Sequence, residues 1–383
     1  VGRCFRPRAR DARVEALAKD AGIATRSFTD QTILAPDLPR TGNGTYFTVF
    51  SPFKRAWLKL LPESDTARVL PAPRAQSAAP GLPTPSPIPD RIDGFDAPRL
   101  RAPVDDLWPA GEHAASKRLA WFIHHAARPY KDARNFPAHD ATSKLSPHLT
   151  VGSISPRQCL HAAMDANRGL ADGGNDGLSH WISEVVWREF YVHVTLGFPR
   201  VVKGRAFQLA TEGLRWSDNA EHLAAWQEGR TGIPIVDAGM RQMHAEGWMH
   251  NRVRMITARF MSKNLFLHWR EGERYFMRNL IDGFFASNNG GWQWSASTGT
   301  DAAPYFRIMN PVSQSQKFDP DGEYIRRYVP ELESVEGEAI HEPWTLPSLL
   351  RSRLNYPAPI VDLSSSRQRA IEAFQALKGV VPE

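Results

Sequence analysis

Residues 282–307, DGFFASNNGGWQWSASTGTDAAPYFR, concentrate side chains suited to binding rather than to filling a core. Asn288 and Asn289 offer paired donors and acceptors. Gly290 and Gly291, beside Trp292, let backbone come close to something flat. A run so poor in aliphatic residues predicts a site for a planar, hydrogen-bonding, redox-active ligand.

Three further groups could do chemistry. Glu184, Trp187, Arg188 and Tyr191 fall on one helical face, opposite an Ile182, Val185, Val192 stripe. A carboxylate, an indole and a guanidinium there suit a solvated face or a lined cavity; two large aromatics argue against full solvation. Asn251 and Met255 lie one helical turn apart, while Arg252, Arg259 and Lys263 predict a basic edge suited to phosphates. Residues 141–147, ATSKLSP, put three hydroxyls ahead of a helix start, which can cap that helix or cradle phosphate. No Walker motif and no strand-linked Gly-x-Gly-x-x-Gly is present, so a nucleotide cofactor would be bound in a non-Rossmann way. His124, His125, His244 and His250 show no metal-ligand spacing, and no metal is expected.

The elements that must position these residues are mostly helical. Residues 11–23 predict a helix closed by Gly22, then IATRSF (23–28) a strand. FTVFSPFKRAWLKLL (47–61) reads as a strand or turn entering a helix. The chain begins without Met and almost at once with a helix, so a first α/β domain cut short is expected. Ten of the 39 residues from Pro71 to Pro109 are proline, the composition of an extended connector without its own core. Beyond Glu112 the pattern is helical. Ser146-Pro147 and Ser155-Pro156 each predict a capping Ser followed by Pro in the first turn. Residues 179–194 and 248–269 predict long helices, the second with Met249, Val253, Ile256 and Phe260 as its core stripe.

Composition sets the bounds. The 383 residues suffice for two domains or one large one. No run is long and apolar enough for a membrane span, and the N-terminus lacks the apolar middle of a signal peptide. Two cysteines, Cys4 and Cys159, make no disulfide framework, so a cytoplasmic location is expected. A net charge of +6 and a pI near 9.4 favour an anionic partner. Twelve tryptophans, ten of them from Trp121 onward, exceed what core filling calls for.

WREFY (187–191), GWMHNRVRMITARFM (247–261), WREGERYF (269–276) and NNGGWQWSASTGTDAAPYFRIMNP (288–311) resemble the DNA photolyase and cryptochrome family, most nearly its bacterial class I cyclobutane pyrimidine dimer photolyases. The resemblance runs from about Tyr130 to Trp344, and TGNGTYFTVFSPFKRAWLKLL (41–61) resembles the end of the family's antenna domain. It implies a mainly α fold: residues 1–62 as the C-terminal part of a truncated α/β (Rossmann-like) antenna domain, 63–110 as a Pro-rich interdomain linker, and 111–383 as an all-helical catalytic domain holding FAD.

The site residues follow from the same resemblance. Tyr130, Thr142, Ser143, Lys144, Leu145, Ser146, Trp181 and Arg188 match the cofactor's phosphate and adenosine side. Arg254 and Asp282, followed by Gly283 and Phe284, match the isoalloxazine side, with Asn288 facing flavin N5. Glu184, Trp187, Asn251, Arg252, Met255, Trp294 and Gln314 match positions receiving a flipped dimer and its backbone. Trp292, Trp269 and Trp216 match an electron relay to the surface. The implied partner is DNA containing pyrimidine dimers, with the chain as a monomer and reduced FADH⁻ as the active cofactor. Extruding a dimer costs a few kcal/mol, and stacking on Trp187 and Trp294 returns roughly 1–3 kcal/mol per base. Phe284 departs from relatives carrying a second acid there. Arg26 and Val202 replace the Glu and Cys of folate-binding relatives, so no folate or deazaflavin antenna is expected. The alternative is a cryptochrome-like flavoprotein without repair; a (6-4) lesion enzyme is disfavoured because Met255 stands where that class has a second His.

Overall fold

The computed structural model describes residues 5–71, 73–75, 86, 87, 89, 100 and 102–377. Its helices of eight or more residues are α1 (Phe5–Asp20), α2 (Phe50–Leu60), α3 (Gly111–His125), α4 (Pro156–Ala166), α5 (Asp176–Gly197), α6 (Ala220–Gln227), α7 (Pro234–Glu246), α8 (Asn251–Arg259), α9 (Trp269–Asn279), α10 (Phe285–Ala296), α11 (Pro311–Phe318) and α12 (Leu363–Ala376). Among the described residues no strand forms, and a single parallel bridge joins Ser217 to Leu267. No described helix is long and apolar enough to cross a membrane.

Four local expectations change. IATRSF is irregular, and so is the chain entering α2, because a strand needs a neighbour to take its backbone groups and none is at hand. Residues 248–269 are not one helix: α8 starts after the His250 cap, passes into a π-turn at Phe260–Asn264, and α9 begins at Trp269. The predicted stripe is nonetheless buried, with Met249, Val253, Ile256 and Phe260 at most 2% exposed. Ser155 caps α4 in a full capping box with Gln158, but Ser146 lies inside its six-residue helix and caps nothing. Its Oγ instead accepts from Trp248 Nε1 at 3.3 Å.

Two large hydrophobic clusters hold most of the helices, and a third, smaller one packs Ala370 and Phe374 of α12 on Leu214 and Phe266. Of the large pair, one joins Ile33, Leu34, Phe53 and Trp57 to α3, α4 and α5; the other gathers α7, α8, α9 and α10 around Trp226, Trp269 and Trp292. The α5 helix spans the structure because Asn175 caps its start, accepting from Leu178 N at 3.0 Å, and Ile182, Val185, Val186 and Phe190 fill one side. The segment before α2 is fastened to α5 by two buried polar side chains. Glu189 accepts from Ile33 N, Leu34 N (3.4 Å) and Trp57 Nε1 (2.7 Å). His193 donates from Nδ1 to Pro36 O (2.8 Å) and accepts from Phe47 N at Nε2 (2.9 Å), the pattern of a neutral ring.

Burial pushes the Glu189 carboxyl up to about 7, against the pull of its three donors. A raised acid favours the folded state below its unfolded value of 4.5 and loses that advantage as pH climbs to about 7. Glu189 alone should therefore cost about 3 kcal/mol of stability across that window. Glu189→Gln should remove this falling limb while lowering stability at pH 5, since its amide puts a donor against a donor. Urea midpoints of both proteins at pH 5 and 7.5 decide it; equal pH dependence in the two would refute the assignment.

Candidate functional site

Most of the predicted site residues lie on α5, α8, α9 and α10 and in the segment 130–146. The loop 134–146 is held from α3: Arg118 donates to Thr142 O (2.7 Å) and Ser143 O (2.8 Å) and forms a bidentate pair with Asp140. Lys144 sits at φ +51°, an uncommon conformation for a residue with a side chain, and pairs with Asp140 at 3.0 Å. The helix beginning at Ser146 has only six residues, so a phosphate cradle here would rest on the loop's own N–H and hydroxyl groups. Tyr130, Trp181 and Leu145 are buried in the adjoining cluster.

On α5, Glu184 Oε1 takes both an ion pair with Arg134 and a contact with His180 Nε2 at 3.4 Å. Burial pulls its carboxyl up, but His180 and Arg134 outweigh this and hold it below the usual range, so it is ionised at neutral pH. Trp187 is stacked by Phe50 with centroids 3.7 Å apart and planes 8° from parallel. Tyr191 explains Gly290, where a Cβ would meet the Tyr191 ring at 2.1 Å. Gly290 therefore serves helix contact, whereas a Cβ at Gly291 would meet nothing within 4 Å. Arg188 donates to Gln31 O and Leu149 O (3.4 Å) and lies 4.3 Å above the Phe284 ring. An aromatic face thus takes the contact that a carboxylate at 284 would supply.

On α8, Asn251 is exposed at the first turn and Met255 lies one turn on, its Sδ 3.8 Å from Arg252 Nη1. Arg252 is braced by Asn135 and by the Phe318 ring at 4.3 Å. The expected basic edge does not continue. Arg259 is buried, donating to Arg307 O and lying over Trp294 at 4.4 Å. Lys263 is buried too, donating to Ala296 O, because the π-turn rotates it inward. Of the three cations only Arg252 stays near a binding face. Arg254 Nη2 reaches both oxygens of buried Asp282, at 2.8 and 3.1 Å, as expected. Gly283 follows Asp282 with its own N–H bonded to Leu280 O, and Gln314 is half-buried on α11.

Asn288 Nδ2 donates to Glu273 O (2.9 Å) and Glu273 Oε1 (3.3 Å), so its Oδ1 is left as the acceptor. Trp292 is buried against α9, where Gly272 makes room; a Cβ there would strike the indole at 2.1 Å. Trp269 shares its cluster, and Trp216 packs against that cluster, partly exposed, with His268 beside both Trp216 (5.4 Å) and Trp269 (5.9 Å). Sequence reasoning missed Arg134, His180, Glu273 and Phe50. His180 stood four residues before Glu184 on the same face, and Glu273 within WREGERYF; nothing local pointed to Phe50.

A cavity of about 760 Å³ is lined by Thr142, Lys144, Trp108, Trp248, His250 and Tyr328 among others. It includes neither the Arg254–Asp282 pair nor Asn288, so it borders the loop rather than those residues. His250 Nε2, Arg252 Nε and Trp292 Nε1 are buried donors without a protein partner. Because His250 Nδ1 accepts from Arg252 N (3.2 Å), its Nε2 carries the hydrogen. Burial, then the neighbouring arginines, depress this ring to about 3, keeping it neutral. The Asn288 acceptor beside the open face of Gly291 fits the N–H-bearing edge of a planar ring.

Helices closing on polar, aromatic-lined residues beside a hydroxyl-bearing loop define the setting, and similarity to known proteins gives its class as a helical FAD-binding protein. The family model for the FAD binding domain of DNA photolyase matches residues 181–376, and that for DNA photolyase matches residues 4–74. The chain belongs to the DNA photolyase family. It is 46% identical to the deoxyribodipyrimidine photo-lyase of Escherichia coli over 371 residues, covering 97% of this chain and 76% of that protein. The fold is similar to the crystal structure of a bacterial class III photolyase from Agrobacterium tumefaciens (TM-score 0.82, 38% identity, 97% of this chain and 77% of that one). A Synechocystis cryptochrome is also similar (TM-score 0.78, 28% identity, 95% and 76%).

Proposed function

We propose that this protein repairs cyclobutane pyrimidine dimers in DNA, using light and a bound FAD. The observation that carries the reading is 46% identity to a photo-lyase over most of this chain, which also carries the ionised Glu184 and the Arg254–Asp282 pair. When bound, reduced FAD supplies the electron that opens the cyclobutane ring and takes it back, so no net redox results. The chain's residues do the rest. Thr142 to Ser146, with Tyr130, Trp181 and Arg188, hold the phosphate and adenosine side. Arg254–Asp282 and Asn288 would hold the flavin edge, where the Asn288 oxygen is free to accept an N–H.

Glu184 Oε1 is committed to Arg134 and His180, so Oε2 accepts an imide N–H of the lesion while the Asn251 amide meets its carbonyl edge. Trp187 offers the face not covered by Phe50, Trp294 a second platform, and Met255 and Gln314 the walls between. Residues 1–62 are the antenna-derived part, 63–110 the connector and 111–383 the catalytic part, and the working unit is a cytoplasmic monomer. The test is whether near-ultraviolet or blue light, with the purified flavoprotein, restores a thymine-dimer oligonucleotide. Absence of repair with FAD fully bound and reduced would favour the cryptochrome-like alternative.

Arg252 is the cation placed to meet backbone phosphate. Its replacement by Ala should weaken binding of dimer-containing DNA and flatten the slope of log affinity against log salt by about one unit. Anisotropy titrations over a salt series measure this. An unchanged slope would assign Arg252 to bracing Asn135 and Phe318 alone.

A further inference from the structure

His244 was unassigned by sequence, and the structure puts it at the end of an aromatic chain separate from Trp269 and Trp216. Trp292 meets Trp226 edge-on with centroids 5.9 Å apart, and Trp226 meets Tyr275 at 5.8 Å. Trp226 is fully buried, whereas Tyr275, on α9, is partly exposed. The Tyr275 hydroxyl lies 2.8 Å from His244 Nε2, on α7, and 3.3 Å from Gln227 O. We propose that Tyr275 is a second, proton-coupled electron donor to Trp292, reached through Trp226, with His244 taking the phenolic proton. This rests on the reading of Trp292 as a relay residue.

The chemistry would balance within the chain after bound oxidised FAD, as the light-driven acceptor, had left Trp292 one electron short. Trp226 returns an electron to the Trp292 radical cation, and Tyr275 returns one to Trp226. The Tyr275 O–H bond breaks as its electron leaves, the proton passes to His244 Nε2, and a neutral tyrosyl radical faces an imidazolium. A phenol stripped of an electron is a very strong acid, so oxidation is facile only where a base stands within hydrogen-bond reach. Burial holds His244 below its usual pKa, which keeps that base unprotonated at neutral pH. The site is partly exposed, so a solution reductant can reach the radical once formed.

The experiment uses the flavin-loaded, oxidised protein with Trp216→Phe, which closes the other surface terminus. Transient absorption and electron paramagnetic resonance after a flash should detect a tyrosyl radical, slowed in deuterated solvent. Adding Tyr275→Phe should abolish the signal at unchanged FAD content. Adding His244→Gln, which keeps a hydrogen bond but takes no proton, should slow its appearance by about 100-fold and remove the solvent isotope effect. A tyrosyl signal that survives Tyr275→Phe, or none in Trp216→Phe while Trp292→Phe still blocks photoreduction, overturns this proposal alone. Photoreduction that persists in Trp292→Phe overturns the relay reading and the proposal with it.

Discussion

Replacing Trp292 by Phe should all but stop light-driven reduction of oxidised flavin in this protein while leaving repair intact once the cofactor is reduced chemically. Trp292 is 2% exposed and lies against Gly272, Phe276 and Trp226. Phenylalanine is much harder to oxidise than an indole. A barrier raised by only about 3 kcal/mol already lowers a rate about 100-fold. The substitution is structurally clean in one respect, since Trp292 Nε1 has no partner in the protein and its loss strands no acceptor. The remaining cost is a smaller side chain in a packed cluster, about 1–3 kcal/mol. The measurement is the bleaching of oxidised flavin absorbance under blue light with an external reductant. A variant that photoreduces at the wild-type rate would show that electrons enter elsewhere.

The second large effect is expected at Glu184. Glu184→Ala removes the acceptor proposed for the lesion's imide and also leaves Arg134 and His180 without their carboxylate. A hydrogen bond to a charged group is worth about 1.5–3 kcal/mol, so repair at limiting substrate should fall about 10- to 100-fold. FAD should stay, because the groups proposed to hold it are the 142–146 loop and the Arg254–Asp282 pair, which Glu184 does not touch. Repair rate and flavin absorbance, read on the same preparation, separate the two roles. Loss of flavin would move Glu184 from the substrate side to the cofactor side. Glu184→Gln adds a finer reading: it keeps the shape and one oxygen but gives Arg134 no charge to pair with.

The helical architecture was legible because it depends on local periodicity, and α5 and the buried stripe of α8 lie where spacing placed them. What failed had nonlocal causes. IATRSF has strand propensity, yet a strand is a pairing, and propensity cannot supply the partner. Arg259 and Lys263 read as a surface edge on an ideal helix, but Arg307 and Trp294 from distant segments cover Arg259, and the π-turn at 260–264 turns Lys263 inward. No simple pattern of residue types announces such a turn. Within the site, side chains on one element were found by spacing, whereas Arg134, Glu273 and Phe50 act on residues of other elements. Their partners are 50, 15 and well over a hundred positions away. Gly290 shows the converse error: the position was rightly singled out, but its constraint comes from Tyr191 rather than from a ligand.

Phe50 carries a consequence for how the binding face behaves. Its ring covers one side of Trp187 almost in parallel, and its backbone N–H is tied to Asp301 Oδ2 at 3.0 Å, just beyond the α10 helix that bears Trp294. The residue works as a backing plate behind one indole. It turns an indole that could swing about its own bonds into a fixed surface, and it ties that surface to the loop after the opposite platform. The position of the Trp187 indole, one of the two platforms proposed for the lesion, is therefore held from outside the helix that carries it. A change at residue 50 would shift that platform without altering either indole.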